Sequence, residues 1–272
     1  MKGVWLLIGA IFGINVASAG ESLIESVVDE AKPAIAIIID DLGYRYQESL
    51  RAIQLRGSLT YAFLPNTPHA QQLAKLAHRH NKEIMLHLPM ESIKPQDLGP
   101  GGLTLHMTET AFKSRILENL ESIPNVAGVN VHMGSLLTQH PGHMAWLMES
   151  IVSRHGLYFV DSRTTVKTVA LQVAQEHLVP SLKRDVFLDT VPDDPEYVRD
   201  QVTRLVDLAK KQGTALAIGH PYPATLAVLQ QHFDALEQEG VRLVKVSELI
   251  DLKQRRQSWH VSSSPSPRVV KN

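Results

Sequence analysis

Ile37-Ile38-Ile39-Asp40-Asp41-Leu42-Gly43 is the stretch from which the fold can be read. A β-branched, wholly apolar run ends in two adjacent carboxylates and a glycine. Such a run suits a strand buried on both faces of a parallel sheet, and the acids then fall at the C-terminal rim, where sites on α/β folds form. Neighbouring side chains of a regular strand point to opposite faces. A loop beginning at the first Asp relaxes that rule, leaving one carboxylate for a metal ion and the other for substrate or water.

Working outward from this strand, which starts at Ala34, short apolar runs alternate with segments of helical spacing. Further strands are expected at Leu59 to Leu64, Glu83 to Leu88, Ala127 to Val131, Leu157 to Val160, Ser181 to Leu188, Thr214 to Ile218 and Val241 to Val246. Between them come helices: Gln47 to Leu55, one capped by Thr67 with Pro68 in its first turn and running to about Asn81, Glu109 to Ser122 capped by Thr108, Pro141 to His155, Thr165 to His177, Pro195 to Gln212 stopped by Gly213, and Ala224 to Glu239. A short final helix starts at Ser247. Lys94 to Gly102, rich in Pro and Gly, reads as a rim loop. About seven or eight strand–helix alternations predict an α/β fold, a distorted (β/α) barrel of parallel strands, with a doubly wound sheet as the competitor. No Gly-x-Gly-x-x-Gly follows the first strand, and there is neither a Walker A loop nor a Gly-x-Ser-x-Gly elbow.

Composition narrows the class further. The 272 residues are 44% hydrophobic and 20% charged, with a net charge of −1, which gives no basis for nucleic-acid binding. The absence of cysteine excludes disulfides, thiolate metal sites and cysteine nucleophiles. Lys2, the apolar stretch Val4 to Val16 and Ala17-Ser18-Ala19 have the pattern of a secretory signal peptide cleaved after Ala19. Residues 20–32 read as a linker, 33–252 as the folded domain, and 253–272 as a basic Ser/Pro-rich tail without a fold of its own. No later segment is apolar enough to span a bilayer, so the mature chain is expected in the periplasm.

The polar residues fall in a pattern. Asp40, Asp41, His87, Glu91, Asn130, His132, Asp161, Arg163 and His220 all lie at or just after the C-terminal ends of expected strands, so a parallel barrel would gather them on one rim. An Asp with two His and no sulfur ligand is an open catalytic donor set for a divalent ion, and zinc accepts such nitrogen and oxygen donors. Such an ion supports hydrolysis of an acyl or similar bond, with a second acid as base and a His as proton donor. No concentrated Lys/Arg set is visible near the rim, which disfavours phosphoester hydrolysis. Tyr44, just past the acids, suits stacking on a sugar ring. Asp161 and Arg163 are spaced for a supporting ion pair. His69, His78 and His80 read as solvated, His140 and His143 as structural, and Trp146 as core.

Six blocks in order carry a resemblance: Ile38 to Gly43, Met85 to Glu91, Gly128 to Ser135, Phe159 to Thr164, Arg184 to Asp189 and Ala217 to Tyr222. Together they resemble the divergent polysaccharide deacetylases, the YibQ-like proteins, over about Pro33 to Leu252. That family is distantly related to the NodB-type carbohydrate esterases, which are metal-dependent deacetylases on a distorted (β/α) barrel. By this resemblance Asp40 is the catalytic base and Asp41 the metal-binding Asp, while His220 assists as general acid. The second esterase motif, His-x-x-x-His, reads His87-x-x-x-Glu91 here, so His132 is the substitute ligand beside His87. Either Arg163 or Arg184 stands for the Arg of the third motif. Where the family usually has Asn-Asn-His-Met-Gly-Ser, this chain has Asn130-Val131-His132, which removes one amide near the ligand. The resemblance implies a Zn2+-dependent hydrolase that removes acyl groups from an envelope polysaccharide or peptidoglycan-like glycan, or a glycan-binding protein without turnover on the same fold.

Overall fold

The computed structural model describes residues 32–262. The expected signal peptide, all but the last residue of the expected linker, and residues 263–272 lie outside them. The folded unit begins at Pro33. Among the described residues no helix is long and apolar enough to cross a membrane.

The strands are β1 (Ala34–Leu42), β2 (Thr60–Phe63), β3 (Glu83–Met90), β4 (Val126–Met133), β5 (Tyr158–Asp161), β6 (Ser181–Lys183), β7 (Val186–Phe187), β8 (Thr214–Gly219) and β9 (Arg242–Leu243). The helices are α1 (Tyr46–Ile53), α2 (Ala70–Arg79), α3 (Glu109–Ser122), α4 (Pro141–Val152), α5 (Ala170–Glu176), α6 (Pro195–Gln212), α7 (Pro223–Gln238) and α8 (Val246–Ser262). All pairings are parallel, in the order β6-β5-β4-β3-β2-β1-β8-β7, and β9 pairs with the start of β1. The order never reverses direction as a doubly wound sheet's does. The result is a curled sheet with an eight-strand path and the short β9 beside β1, an incompletely closed barrel, as expected.

The barrel's seam explains one difference from the expected elements. Ser181 to Leu188 reads as one strand but is two. Its first half pairs with β5 at one end of the sheet and its second half with β8 at the other. Arg184 and Asp185 bridge the gap, their amides donating to Asp161 O at 3.0 Å and Leu216 O at 2.9 Å. The chain thus ties together two sheet ends that are not hydrogen-bonded as a continuous ladder.

Two apolar layers follow from strand alternation. Odd-numbered residues of β1 (Ile35, Ile37, Ile39) pack outward under the helices with Tyr61, Phe63, Leu86 and Phe159. Even-numbered ones (Ala34, Ala36, Ile38) face the interior with Ala62, Met85, Val160, Leu216 and Ile218. Helix α8 joins this interior layer through Val246, Leu249 and Ile250. Its first amides are tied to the starts of β2 and β3, where Val246 N donates to Thr60 Oγ1 at 3.2 Å and Ser247 N to Glu83 Oε1 at 3.2 Å. The barrel's N-terminal mouth is therefore filled with apolar side chains, and its polar residues are left for the other end.

The helix boundaries show where local signals held. Thr108 caps α3 by accepting from Ala111 N, and Asp194 caps α6 by accepting from Glu196 N and Tyr197 N. Thr67 does not cap α2: its hydroxyl donates back to Leu64 O at 2.9 Å, and the helix begins only at Ala70. The helix expected from Thr165 shrinks to Ala170–Glu176, because Asp161 holds the preceding loop through Arg163 N and the Thr168 hydroxyl. The final helix runs ten residues into the expected tail, where Arg256 Nη1 donates to Gly213 O at 2.6 Å.

Candidate metal centre and its rim

Interior-facing parity places the site. Continuing the inward positions past the apolar layer gives Asp40 after Ile38, His87 after Met85, and His220 after Ile218. On β4, Asn130 and His132 are two apart and share a face. The β3–β4 register sets His87 beside Asn130 and Pro89 beside His132. Four separate strands thus deliver Asp40, His87, His132 and His220 to one cavity of about 460 Å³ at the C-terminal rim, with Asn130 buried behind them.

Asp41 reaches the same cavity by a different device. The β1–β2 register slips between Ile39 and Leu42, so β1 carries a bulge at the two acids. Asp41 takes a left-handed φ of 61°. This turns its side chain toward the interior that alternation would deny it. Gly43 completes the turn at φ 121°, and a Cβ there would lie 2.1 Å from Thr67 Oγ1. No other residue fits without displacing the loop.

Three atoms converge. Asp41 Oδ1 lies 3.1 Å from His87 Nε2 and 3.0 Å from His132 Nδ1, and the two ring nitrogens are 3.1 Å apart. Asn130 fixes the protons. Its Nδ2 donates to Asp40 Oδ1 at 2.8 Å, so its Oδ1, 2.8 Å from His87 Nδ1, must accept from that nitrogen. The neutral His87 ring then turns a bare lone pair on Nε2 toward Asp41 and His132. Asp41 Oδ1 is buried and has no hydrogen-bond donor among the described residues. Donors at 2.0–2.2 Å from one zinc-like ion stand roughly 2.8–3.6 Å apart in octahedral or tetrahedral geometry. Asp41, His87 and His132 match that spacing in chemistry and in distance, and they form the group among the described residues that could hold a metal ion.

The electrostatics agree. Burial opposes charge on Asp41, but its contacts with His132 and His87 outweigh this and hold the carboxyl well below the usual range. Burial likewise opposes a charged His87, yet the charges of Asp40 and Asp41 prevail and raise it. A field that favours a proton on that ring nitrogen favours any other cation there. Asp40 is 3% exposed, and burial pushes its carboxyl up despite the nearby His87 and His220 charges.

His220 stands across the cavity, its Nε2 3.7 Å from Asp41 Oδ2. It is held by Asp189, a buried acid just past the Ser181 to Leu188 segment that the sequence pattern does not single out. Asp189 Oδ1 accepts from His220 Nδ1 at 2.9 Å, and Oδ2 accepts from the His220 amide at 2.6 Å and the Thr225 hydroxyl at 2.8 Å. The ring is flanked by Phe187 and Tyr222, both with centroids 5.4 Å away. Burial opposes the charge on His220, but the Asp189 hydrogen bond and charge, with Asp40 and Asp41 behind them, raise it to about 9. Its strand-end position was the available signal for Asp189, the same one that drew attention to the other acids.

The remaining expected residues divide. Glu91 is not in the triangle: its Oε2 accepts from Leu105 N at 2.7 Å, and its backbone bonds to Leu103, Leu136 and Leu137. It clamps the rim loop. The reason is backbone position, since β3 ends at Met90 and Glu91 no longer follows strand alternation. Asp161 does not need the Arg163 side chain; its Oδ1 accepts from the Arg163 amide at 2.9 Å. Arg163 and Arg184 both line the main cavity, so the rim carries more positive charge than the spacing suggests. Tyr44 is 47% exposed and lines a smaller pocket beside His132, with Asp97, Leu98 and Gly99.

A curled parallel barrel with an Asp–His–His rim cluster defines the class of the polysaccharide deacetylases. The chain belongs to the divergent polysaccharide deacetylase family, whose model matches residues 37–250. It is 37% identical to YibQ of Escherichia coli K12 over 217 residues, 80% of this chain and 67% of that one. Among solved structures, a protein of Agrobacterium tumefaciens C58 superposes with a TM-score of 0.77 at 23% identity, covering 80% of this chain and 89% of its own. The catalytic domain of a peptidoglycan N-acetylglucosamine deacetylase from Eubacterium rectale shares the fold at a TM-score of 0.51 and 12% identity, over 79% of this chain and 89% of that one.

Proposed function

We propose that this chain is an exported, metal-dependent hydrolase that removes acyl groups, acetyl above all, from an envelope carbohydrate. The observation that carries the proposal is the triangle of Asp41 Oδ1, His87 Nε2 and His132 Nδ1 around a buried carboxylate oxygen without a donor. Family membership supports the carbohydrate substrate, and the signal-peptide pattern at residues 1–19 supports an envelope setting.

Asp41, His87 and His132 would hold the ion, with zinc the expected identity. When bound, the ion polarises the acyl carbonyl and lowers the pKa of water at the site. The chain's own groups supply the proton transfers. Asp40, whose carboxyl burial pushes up from its ordinary value, accepts the proton of the attacking water. Asn130 holds Asp40 Oδ1 and leaves Oδ2, 3.7 Å from His87 Nε2, without a hydrogen bond among the described residues and able to take the proton. His220 stays protonated on Nε2 because Asp189 stabilises its charge, and it gives that proton to the departing amine or alkoxide. The two groups are poised for opposite roles by their surroundings.

Metal analysis of wild-type protein, Asp41→Ala and His132→Ala after equilibration with zinc tests the first part. Wild type should retain close to one ion per chain and each variant much less. A wild type that retains none refutes the metal. Acetate release from acetylated envelope glycans by the zinc-loaded protein, lost in Asp40→Asn, tests the second. Saturable glycan binding with no acetate release would replace hydrolysis with the non-catalytic reading.

A further inference from the structure

Arg163 and Arg184 line the same cavity as the metal-type triangle, on the side of the barrel seam. Arg184 is fixed in place. Its Nε donates to Ser162 O at 2.7 Å, its Nη2 donates to Arg163 O at 2.9 Å, and its guanidinium lies 4.7 Å from the Phe187 ring centroid. The segment that receives these bonds is held in an uncommon shape, because Arg163 has a left-handed φ of 50°. A bulky residue adopts that conformation at a cost, and such costs gather at functional sites.

Among the described residues no carboxylate lies within ion-pair distance of either guanidinium. The acids nearest in the chain are already engaged. Asp161 accepts from Arg163 N and the Thr168 hydroxyl, and Asp185 Oδ2 accepts from Leu216 N. Burial, and then the nearby charge of Arg163, lower the pKa of Arg184. The more distant charges of Asp161, Asp40 and Asp185 work the other way, but none is in ion-pair contact, and two like charges held together at a cavity wall without a paired carboxylate form a site for an anion. Thr164 and Thr190 line the same cavity and carry hydroxyls able to add hydrogen bonds.

We infer that the acyl-bearing sugar also carries an anionic group, a carboxylate or a phosphate, which Arg163 binds with Arg184 behind it. This rests on the hydrolase reading and narrows its substrate class to acidic glycans. Arg163 would be a specificity-determining residue: it selects the charged sugar and leaves the proton transfers to Asp40 and His220.

The test is binding of matched sugars to the zinc-equilibrated protein by calorimetry. N-acetylglucosamine, N-acetylmuramic acid and N-acetylglucosamine 6-phosphate share the acetamido group and differ in having no anion, a carboxylate or a phosphate. At least one charged sugar should bind roughly tenfold or more tighter than the neutral one, the worth of one charge-assisted hydrogen bond. Which charged sugar is preferred separates carboxylate from phosphate. Arg163→Gln should erase the preference, while Arg163→Lys should keep part of it. The preference should also weaken as salt rises. Equal affinities, saturable binding by neither charged sugar, or a preference that survives Arg163→Gln would each overturn the inference. Acetate release without charge preference leaves the hydrolase standing and removes the inference. Charge preference without acetate release does the reverse.

Discussion

Replacing Asp189 with Asn should convert His220 from a mostly charged ring to a neutral one at neutral pH. Asp189 accepts three hydrogen bonds, from His220 Nδ1, the His220 amide and the Thr225 hydroxyl. An amide oxygen can still accept the last two from the position of Oδ2. The amide NH2 would then face His220 Nδ1, which must turn from donor to acceptor, so the ring keeps its neutral proton on Nε2. With the carboxylate gone, burial and the more distant Asp40 and Asp41 remain, and burial works against charge. His220 should titrate near or below 6.5 in place of about 9. The difference of about 2.5 pH units corresponds to an upper limit of about 3.4 kcal/mol at 1.36 kcal/mol per unit. At pH 7.5 the protonated fraction would fall from about 97% to about 10% or less on those midpoints.

Histidine-selective NMR of the metal-free protein reads this directly. A midpoint in Asp189→Asn within about half a unit of wild type would refute the argument that Asp189 holds the proton donor charged. Stability gives an independent check with a defined sign. The folded-state value of His220 lies above its unfolded value, so its contribution is complete below about pH 6.5 and is lost as pH rises through about 9. The stability gap between wild type and Asp189→Asn should therefore be widest near pH 6 and narrow toward pH 9. A gap that is flat or widens over that range would contradict the assignment.

Other substitutions separate the site from its scaffold. Asn130→Leu leaves His87 Nδ1 and Asp40 Oδ1 without their 2.8 Å partner in a buried setting. It should cost about 2–6 kcal/mol by chemical denaturation and weaken zinc binding roughly 10- to 100-fold by competition with a chelator. Glu83→Ala removes the acceptor for Thr60, Tyr158 and the Ser247 amide at the opposite end of the barrel. It should cost about 2–4 kcal/mol and leave zinc stoichiometry unchanged, and a loss of zinc in a folded variant would show that the two ends are coupled. Gly43→Ala places a Cβ 2.1 Å from Thr67 Oγ1 at φ 121°, so it should destabilise by at least 1–3 kcal/mol, to order of magnitude, and a neutral result would mean that the turn can move.

The rim was legible from sequence because strand alternation and strand ends are local signals. Ile38, Met85 and Ile218 are apolar and face inward, so the next inward positions, Asp40, His87 and His220, could be placed on one surface. Three features needed the tertiary structure. The bulge that brings Asp41 inward depends on the slip against β2. The split of Ser181 to Leu188 depends on the two sheet ends competing for one short segment, which no periodicity in that segment records. Glu91 kept the spacing of a ligand but lost the strand, and its carboxylate was captured by Leu105 N. Asp189 is a different case. Its strand-end position is visible in the sequence, but a single acid closing a strand carries no spacing pattern that assigns it a role.

Backbone strain connects these observations. Among the described residues with positive φ, Asn66, Asn81, Asn125 and Asp193 are of types that tolerate the left-handed region. Leu178, Met133 and Arg163 are not; Leu178 lies just past the C-terminal end of α5 and lines no part of the cavity, whereas Met133 and Arg163, together with Asp41, stand at or just past the ends of β4, β5 and β1, around that one cavity. Each conformation costs of order 1–3 kcal/mol when nothing offsets it. A fold selected only for stability would place Gly or Asn at those positions. At Asp41 the offset is evident, since the strained turn presents the carboxylate to His87 and His132. Met133 follows His132 directly, and the left-handed turn it shares with Gly134 (φ 59° and 74°) lets Gly134 N bond Met90 O at 2.9 Å, which ties the histidine's strand to β3. Arg163 bonds to the rest of the chain through its backbone, as donor to Asp161 and acceptor from Arg184, and its side chain has no ion-pair partner among the described residues. Of the three, Arg163 is the one whose side chain faces the cavity without an ion-pair partner among the described residues, which is why that partner is sought in the substrate.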